Sequence, residues 1–250
     1  MIYFIGAGPG DPELLTVKGK KILAQCEMVI YAGSLVHRGL LRYARKGREF
    51  YDSARLSLEE IIALMEKAHR LGYHVARLHS GDPAIYGAVR EQVEELKKRH
   101  IPFEIIPGVS SFCAASAALR GELTVPGVSQ TVILTRLAGR TPVPEREDLE
   151  RLVVHGATLV VFLSINRLAE IVEKIARGYP PHTPCAVVYH VTWEDETIIR
   201  GTLATILAQV EKTPICKGAL FIVGEVLGET WSRSQLYHPS FAHGFRGERE

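Results

Sequence analysis

The sequence predicts an α/β protein. Short apolar runs alternate with helical patterns, glycine-rich loops follow directly on two of those runs, and the alternation resumes after a break near residue 120. The runs Ile2–Ile5, Met28–Tyr31, His74–Leu78 and Phe103–Ile106 are rich in strand formers. Between them, Ser57-Leu-Glu-Glu60 is a capping box that opens a helix to about Leu71, with Ile61, Ile62, Leu64, Met65 and Ala68 along one side. A second helix, Ala88 to Lys98, carries Val89, Val93 and Leu96 at helical spacing. Its basic end (Lys97, Lys98, Arg99) suits the negative pole of the helix dipole. Pro107-Gly-Val-Ser-Ser then opens an alanine-rich helix, Phe112 to Leu119. Repeated strand–helix order of this kind implies a mostly parallel sheet.

Gly121, Pro126 and Gly127 mark residues 120–130 as a linker between domains at 1–119 and 131–230, with a loose tail at 231–250. The second domain begins with a strand at Thr131–Leu134, a polar loop Arg136–Pro144, a helix near Arg146–Val154 and a strand at Thr158–Leu163. Asn166 is placed to cap a helix running to about Ala176. Strand Cys185–Tyr189, an edge-like segment Glu196–Arg200, a helix Leu203–Val210 and strand Leu220–Val223 complete it. The short gap before Glu196 allows an antiparallel pair there.

Composition excludes several classes of protein. An apolar fraction of 46% supplies a core, and a net charge of +2 offers no basic surface to nucleic acid or membrane. Cys26, Cys113, Cys185 and Cys216 are widely spaced with no Cys-x-x-Cys, which reads as small core residues in a reducing cytoplasm. The ten histidines show no metal-ligand spacing, so no metal is expected. The start Met1-Ile-Tyr-Phe-Ile lacks a basic leader region and reads as a first strand. No apolar run approaches the roughly 18 residues that span a bilayer.

The two loops are Gly6-Ala-Gly-Pro-Gly-Asp11 and Ser80-Gly-Asp-Pro-Ala-Ile-Tyr-Gly87. Loops at the carboxyl ends of parallel strands are where open α/β sheets bind small molecules. Asp11 stands where a dinucleotide fingerprint needs its third glycine, and no Gly-Lys-Ser/Thr follows, so neither that motif nor a P-loop is present. The carboxylates Asp11 and Asp82 would repel a diphosphate but favour ribose hydroxyls or a cationic ligand. S-adenosylmethionine, with a sulfonium and no phosphate, fits that chemistry; glycine turns that serve packing alone are the plain alternative.

These loops, with Pro107-Gly-Val-Ser-Ser and Gly218-Ala-Leu-Phe-Ile-Val-Gly224, resemble the tetrapyrrole methylases over about Met1 to Leu227. Tyr31-Ala-Gly-Ser-Leu-Val36 is similar to the segment of members that methylate C11 of precorrin-4 or cobalt-precorrin-4 in cobalamin biosynthesis. Uroporphyrinogen methylases carry Tyr-Asp-Arg-Leu-Val there; Ala32 replaces that aspartate, so its proton-accepting role does not carry over. The resemblance implies two α/β domains with a cofactor cleft between them, a homodimer, S-adenosyl-L-methionine as cofactor and S-adenosyl-L-homocysteine as product. It also implies cofactor contacts at Pro9, Ser80, Gly81, Asp82, Ile85, Ser110, Ser111, Leu163, Val191 and Ala219. Ile85 and Leu163 equally suit a core, Ser110 and Ser111 a helix cap, and Asp82 a turn.

Methyl transfer from a sulfonium is an in-line displacement with a good leaving group, so positioning is the main requirement and no catalytic base is named. A polycarboxylate tetrapyrrole calls for cations, and Arg38, Arg42 and Arg45, with His79 beside the second loop, are the candidates. Arg48, Arg120, Arg136 and Arg140 also lie near presumed loops. Alternative readings are a relative acting on another ring position, on ribosomal RNA or on a modified histidine, and a non-catalytic cofactor- or corrinoid-binding protein.

Overall fold

The computed structural model describes residues 1–45, 47–213 and 215–229, with Ser234, His238, Phe241 and Ala242. The segment expected to be a loose tail, 231–250, otherwise lies outside the described residues. The chain divides into two units: Met1–Ala114 with His190–Glu196, and Ala115–Tyr189 with Thr197–Glu250.

The first unit runs β1 (Ile2–Gly6), α1 (Val17–Leu23), β2 (Met28–Tyr31), β3 (Glu49–Asp52), α2 (Leu58–Arg70), β4 (Val75–His79), α3 (Val89–Lys98) and β5 (Phe103–Ile106), and α4 (Ser111–Leu119) starts within it. Its five strands form a sheet in the order β3-β2-β4-β1-β5, and every pair is parallel. Side chains alternate across the strands. Ile2, Phe4, Met28 and Ile30 pack with Ile61, Met65, Val93 and Leu96 of α2 and α3. On the opposite face Ile5, Val29, Ala76 and Leu78 pack with Leu23 of α1 and with Leu15 just before it. A sheet covered on both faces explains why its central strands read as unbroken apolar runs.

The chain leaves β1 toward α1 on one face and leaves β4 toward α3 on the other. Between these adjacent strands the connections diverge, which is where a ligand crevice opens in such sheets. The capping box of α2 forms as expected: the Glu60 N–H donates to Ser57 Oγ and the Ser57 N–H to Glu60 Oε2 at 2.7 Å.

The second unit contains β6 (Val132–Arg136), α5 (Leu149–Leu152), β7 (Thr158–Phe162), α6 (Leu168–Ile175), β8 (Pro184–Tyr189), β9 (Thr197–Thr202), α7 (Ile206–Val210) and β10 (Ala219–Val223). Its sheet order is β6-β7-β10-β8-β9. Only β6 and β7 are parallel; β10 runs antiparallel to both neighbours, and β8 with β9 makes the antiparallel pair that the short connection allows. The core joins Leu159, Val161, Val187 and Phe221 from the sheet to Ile171, Ile175 and Ile206 from helices. Asn166 does not cap α6. It lies in a tight turn, Ile165–Arg167, and Arg167 occupies the cap position without a side-chain cap bond.

Candidate functional site

Three loops at the carboxyl ends of β1, β4 and β5 meet in the first unit. Gly8 and Gly81 exchange backbone hydrogen bonds, 3.2 Å from the Gly8 N–H and 2.8 Å from the Gly81 N–H, so the two glycine loops form one short antiparallel bridge. Gly81 holds φ +63°, a conformation that suits glycine. The third loop, Pro107 to Ser110, packs onto both. A Cβ on Gly108 would come within 2.3 Å of the Gly81 carbonyl oxygen and 2.7 Å of Gly6 Cα, so only glycine permits this approach.

Asp82 fastens the assembly. Its Oδ2 accepts from the Gly108 N–H at 2.8 Å and its Oδ1 from the Ala84 N–H at 2.8 Å. The carboxylate thus ties the second loop to the third while shaping its own turn. Ser110 is buried and its carbonyl accepts from Cys113 and Ala114 as α4 begins at Ser111. The amino end of this nine-residue helix therefore lies in the same loop cluster. Pro9 is buried, and Ser80 and Ile85 are half-buried.

His79 faces the interior. It is buried against Phe4, with ring centroids 5.8 Å apart, and bonds to the Gly87 backbone, while its Nε2 has no partner among the described residues. Burial, reinforced by the neighbouring Arg77 charge, pushes the imidazole down to about 3, so the ring is neutral near pH 7. Arg77 is buried too. It donates to Gln92 Oε1 at 3.1 Å, and burial lowers its guanidinium to about 10.

Two further supports in the first unit, one for the segment Tyr31–Val36 and one for the first glycine loop, carry no local signal in the sequence. The first is Asp52 at the end of β3, whose Oδ1 accepts from the Gly33 and Ala54 N–H groups, both at 2.9 Å. These bonds, Ala54 first, hold its carboxyl below the ordinary carboxylate range. Ser53 Oγ donates to the Tyr31 carbonyl at 3.2 Å, so β3 pins the segment Tyr31–Val36. The second support is the excursion His190–Glu196, which belongs with the first unit. Trp193 Nε1 donates to the Pro9 carbonyl at 2.9 Å, and the Asp11 N–H donates to Thr192 Oγ1 at 2.9 Å. Val191 is buried in this excursion between two residues of positive φ.

Arg38, Arg42 and Arg45 are all exposed, and Arg42 lies over the Tyr43 ring and donates to its hydroxyl. In the second unit Leu163 follows β7 with φ +54° and is 67% exposed. An exposed leucine in a left-handed conformation is rare in a residue that only packs, and such outliers concentrate at ligand sites. Ala219 is buried at the start of β10, opposite Tyr189. Among the described residues no cluster of His, Cys, Asp or Glu is placed to hold a metal, and no helix is long and apolar enough to cross a membrane.

Three interlocked glycine loops at the carboxyl ends of parallel strands stand where open α/β sheets bind small molecules, and comparison with known proteins gives the class of the protein. The chain belongs to the Tetrapyrrole (Corrin/Porphyrin) Methylases, whose family pattern it matches over residues 1–207. It is 53% identical to a cobalt-precorrin-4 C(11)-methyltransferase of Methanocaldococcus jannaschii over 98% of this chain and 95% of that protein. Identity to a precorrin-4 C(11)-methyltransferase of Pseudomonas aeruginosa is 47% over 98% of each. Among solved structures, a cobalt precorrin-4 methyltransferase described as a cobalamin biosynthetic enzyme superposes with a TM-score of 0.88 at 44% identity, covering 91% of this chain and 95% of that one. A uroporphyrin-III C-methyl transferase of Thermus thermophilus, complexed with S-adenyl homocysteine, superposes at 0.76 with 30% identity, covering 90% of this chain and 92% of that one.

Proposed function

We infer that this chain transfers the methyl group of S-adenosylmethionine to C11 of precorrin-4, with or without cobalt, in cobalamin biosynthesis. The observation that carries the reading is near-full-length identity of 53% to an enzyme of that name, in a chain with the segment Tyr31-Ala-Gly-Ser-Leu-Val36. The loop cluster suits the cofactor. Gly6 and Gly108 let the three loops pack backbone to backbone, and the start of α4 offers N–H groups to a carboxylate. The bound cofactor supplies an electrophilic methyl on a sulfonium.

The protein's part is to hold and orient. Pro9, Ser80, Gly81, Asp82, Ile85, Ser110, Ser111 and Val191 are the proposed cofactor residues of the first unit, and Asp82 acts by fixing the loops that carry the others. Leu163 and Ala219 keep, as part of this proposal, the cofactor-contact roles that the resemblance implies. Positioning of this kind supplies about 7–11 kcal/mol in favourable cases. The exposed guanidinium groups of Arg38, Arg42 and Arg45 suit substrate carboxylates. The buried, neutral His79 supports the floor of the loop cluster in this scheme. The proposal extends to a cytoplasmic location, which fractionation of cells tests, and to a homodimer, which light scattering on the purified protein tests.

The functional test is incubation with S-adenosylmethionine and each form of precorrin-4, followed by mass spectrometry. A gain of one methyl supports the reading. Cofactor binding without any gain points instead to a non-catalytic binding protein.

A further inference from the structure

We propose that Trp193 is a positioning residue for the first glycine loop, holding it in the shape that receives the cofactor. The inference rests on the cofactor reading above. The excursion His190–Glu196 pins both peptide groups that flank Gly10: the Pro9 carbonyl accepts from Trp193 Nε1 at 2.9 Å, and the Asp11 N–H donates to Thr192 Oγ1 at 2.9 Å. The indole also covers Gly10 so closely that a Cβ there would come within 2.3 Å of the ring. No other residue type at position 10 leaves the ring in place.

The excursion is itself braced for this task. His190 stacks on the indole at 5.2 Å and His37 meets it edge-on at 4.8 Å, so the ring is held from two sides. Asp195 grips His190 Nδ1 at 2.9 Å, and Glu196 accepts from the Thr192 N–H at 2.7 Å. His190 and Thr192 adopt φ of +42° and +67°, conformations that side-chain-bearing residues hold only when surrounding contacts enforce them. His37 follows directly on Tyr31–Val36, so the same indole touches the loop that the resemblance links to the acceptor.

The decisive variant is Trp193→Phe, which keeps an aromatic ring and removes the N–H. Loss of that one hydrogen bond should weaken S-adenosylhomocysteine binding about three- to tenfold in calorimetry. Hydrogen exchange in the peptide covering Gly8–Asp11 should speed up, and the KM for the tetrapyrrole should stay at the wild-type value. Thr192→Val should act in the same direction through Asp11. Trp193→Ala relieves the contact at Gly10, so Gly10→Ala should cost less affinity in that background than alone. Wild-type affinity together with wild-type loop exchange in Trp193→Phe would overturn the proposal, as would an affinity loss matched by a general rise in exchange across the unit. Failure of the unmutated protein to bind S-adenosylhomocysteine would instead overturn the cofactor reading, leaving loop exchange to decide whether Trp193 holds the loop.

Discussion

Replacing Asp82 by alanine removes two acceptors at once. The bond from the Gly108 N–H is partly buried and the one from Ala84 is exposed, both at 2.8 Å. A hydrogen bond to a charged group is worth about 1.5–3 kcal/mol, and the exposed N–H recovers most of its share from water, so the net cost is about 2–4 kcal/mol. Most of it falls on the link between the second and third loops, where Gly6, Gly81 and Gly108 are in backbone contact. If binding must restore that link, about 2 kcal/mol is withdrawn from affinity, a factor of roughly 30. Asp82→Asn retains one acceptor and should lose about half as much on the logarithmic scale. Calorimetry with S-adenosylhomocysteine, paired with thermal unfolding, reads both quantities. An Asp82→Ala protein that binds within twofold of the unmutated one would refute the reasoning.

Gly108→Ala should be more damaging than Asp82→Ala, because its Cβ overlaps backbone of two other loops that cannot rotate away; a loss of cofactor affinity above roughly 30-fold is expected in the same calorimetry. His79 makes stability fall in acid. Its folded-state value of about 3 lies below the unfolded value of about 6.5, so the unfolded chain takes up a proton that the native chain refuses. Relative to His79→Asn, the unmutated protein should lose about 1.4 kcal/mol per pH unit between about pH 6 and 4 in urea unfolding; a constant difference would show that His79 protonates in place. Arg42→Glu and Arg45→Glu should each raise the tetrapyrrole KM severalfold while leaving S-adenosylhomocysteine affinity unchanged; unaltered steady-state kinetics in both would remove these arginines from substrate binding.

What was legible in the sequence follows the burial of each element. β1, β2 and β4 stand out because buried apolar residues dominate them, and β5 because three of its four residues are apolar, whereas β3 is a four-residue edge strand, Glu-Phe-Tyr-Asp, with no fully buried side chain. α1 is equally inconspicuous: Val17 is 70% exposed, three of its seven residues are lysines, and only Gly19 and Leu23 are buried. Asn166 reads as a cap, yet the chain enters α6 through a tighter turn that places Arg167 at the boundary.

The glycine loops announce themselves because close backbone approach demands glycine. Asp82 is recognisable as special, but its bond to Gly108, 26 residues away, exists only once three strands are aligned. Trp193 bonds to a residue 184 positions earlier, and Asp52 to one 19 positions earlier. No local pattern encodes such partners. His79 adjoins Ser80-Gly-Asp in the sequence, but strand alternation turns its side chain inward against Phe4.

The most direct test of the account is the position of the transferred carbon. With S-adenosylmethionine labelled with carbon-13 in its methyl group and precorrin-4 or its cobalt complex as acceptor, carbon NMR of the product should show the label on C11. Label on any other ring carbon, or none on either acceptor while the cofactor still binds, would contradict it.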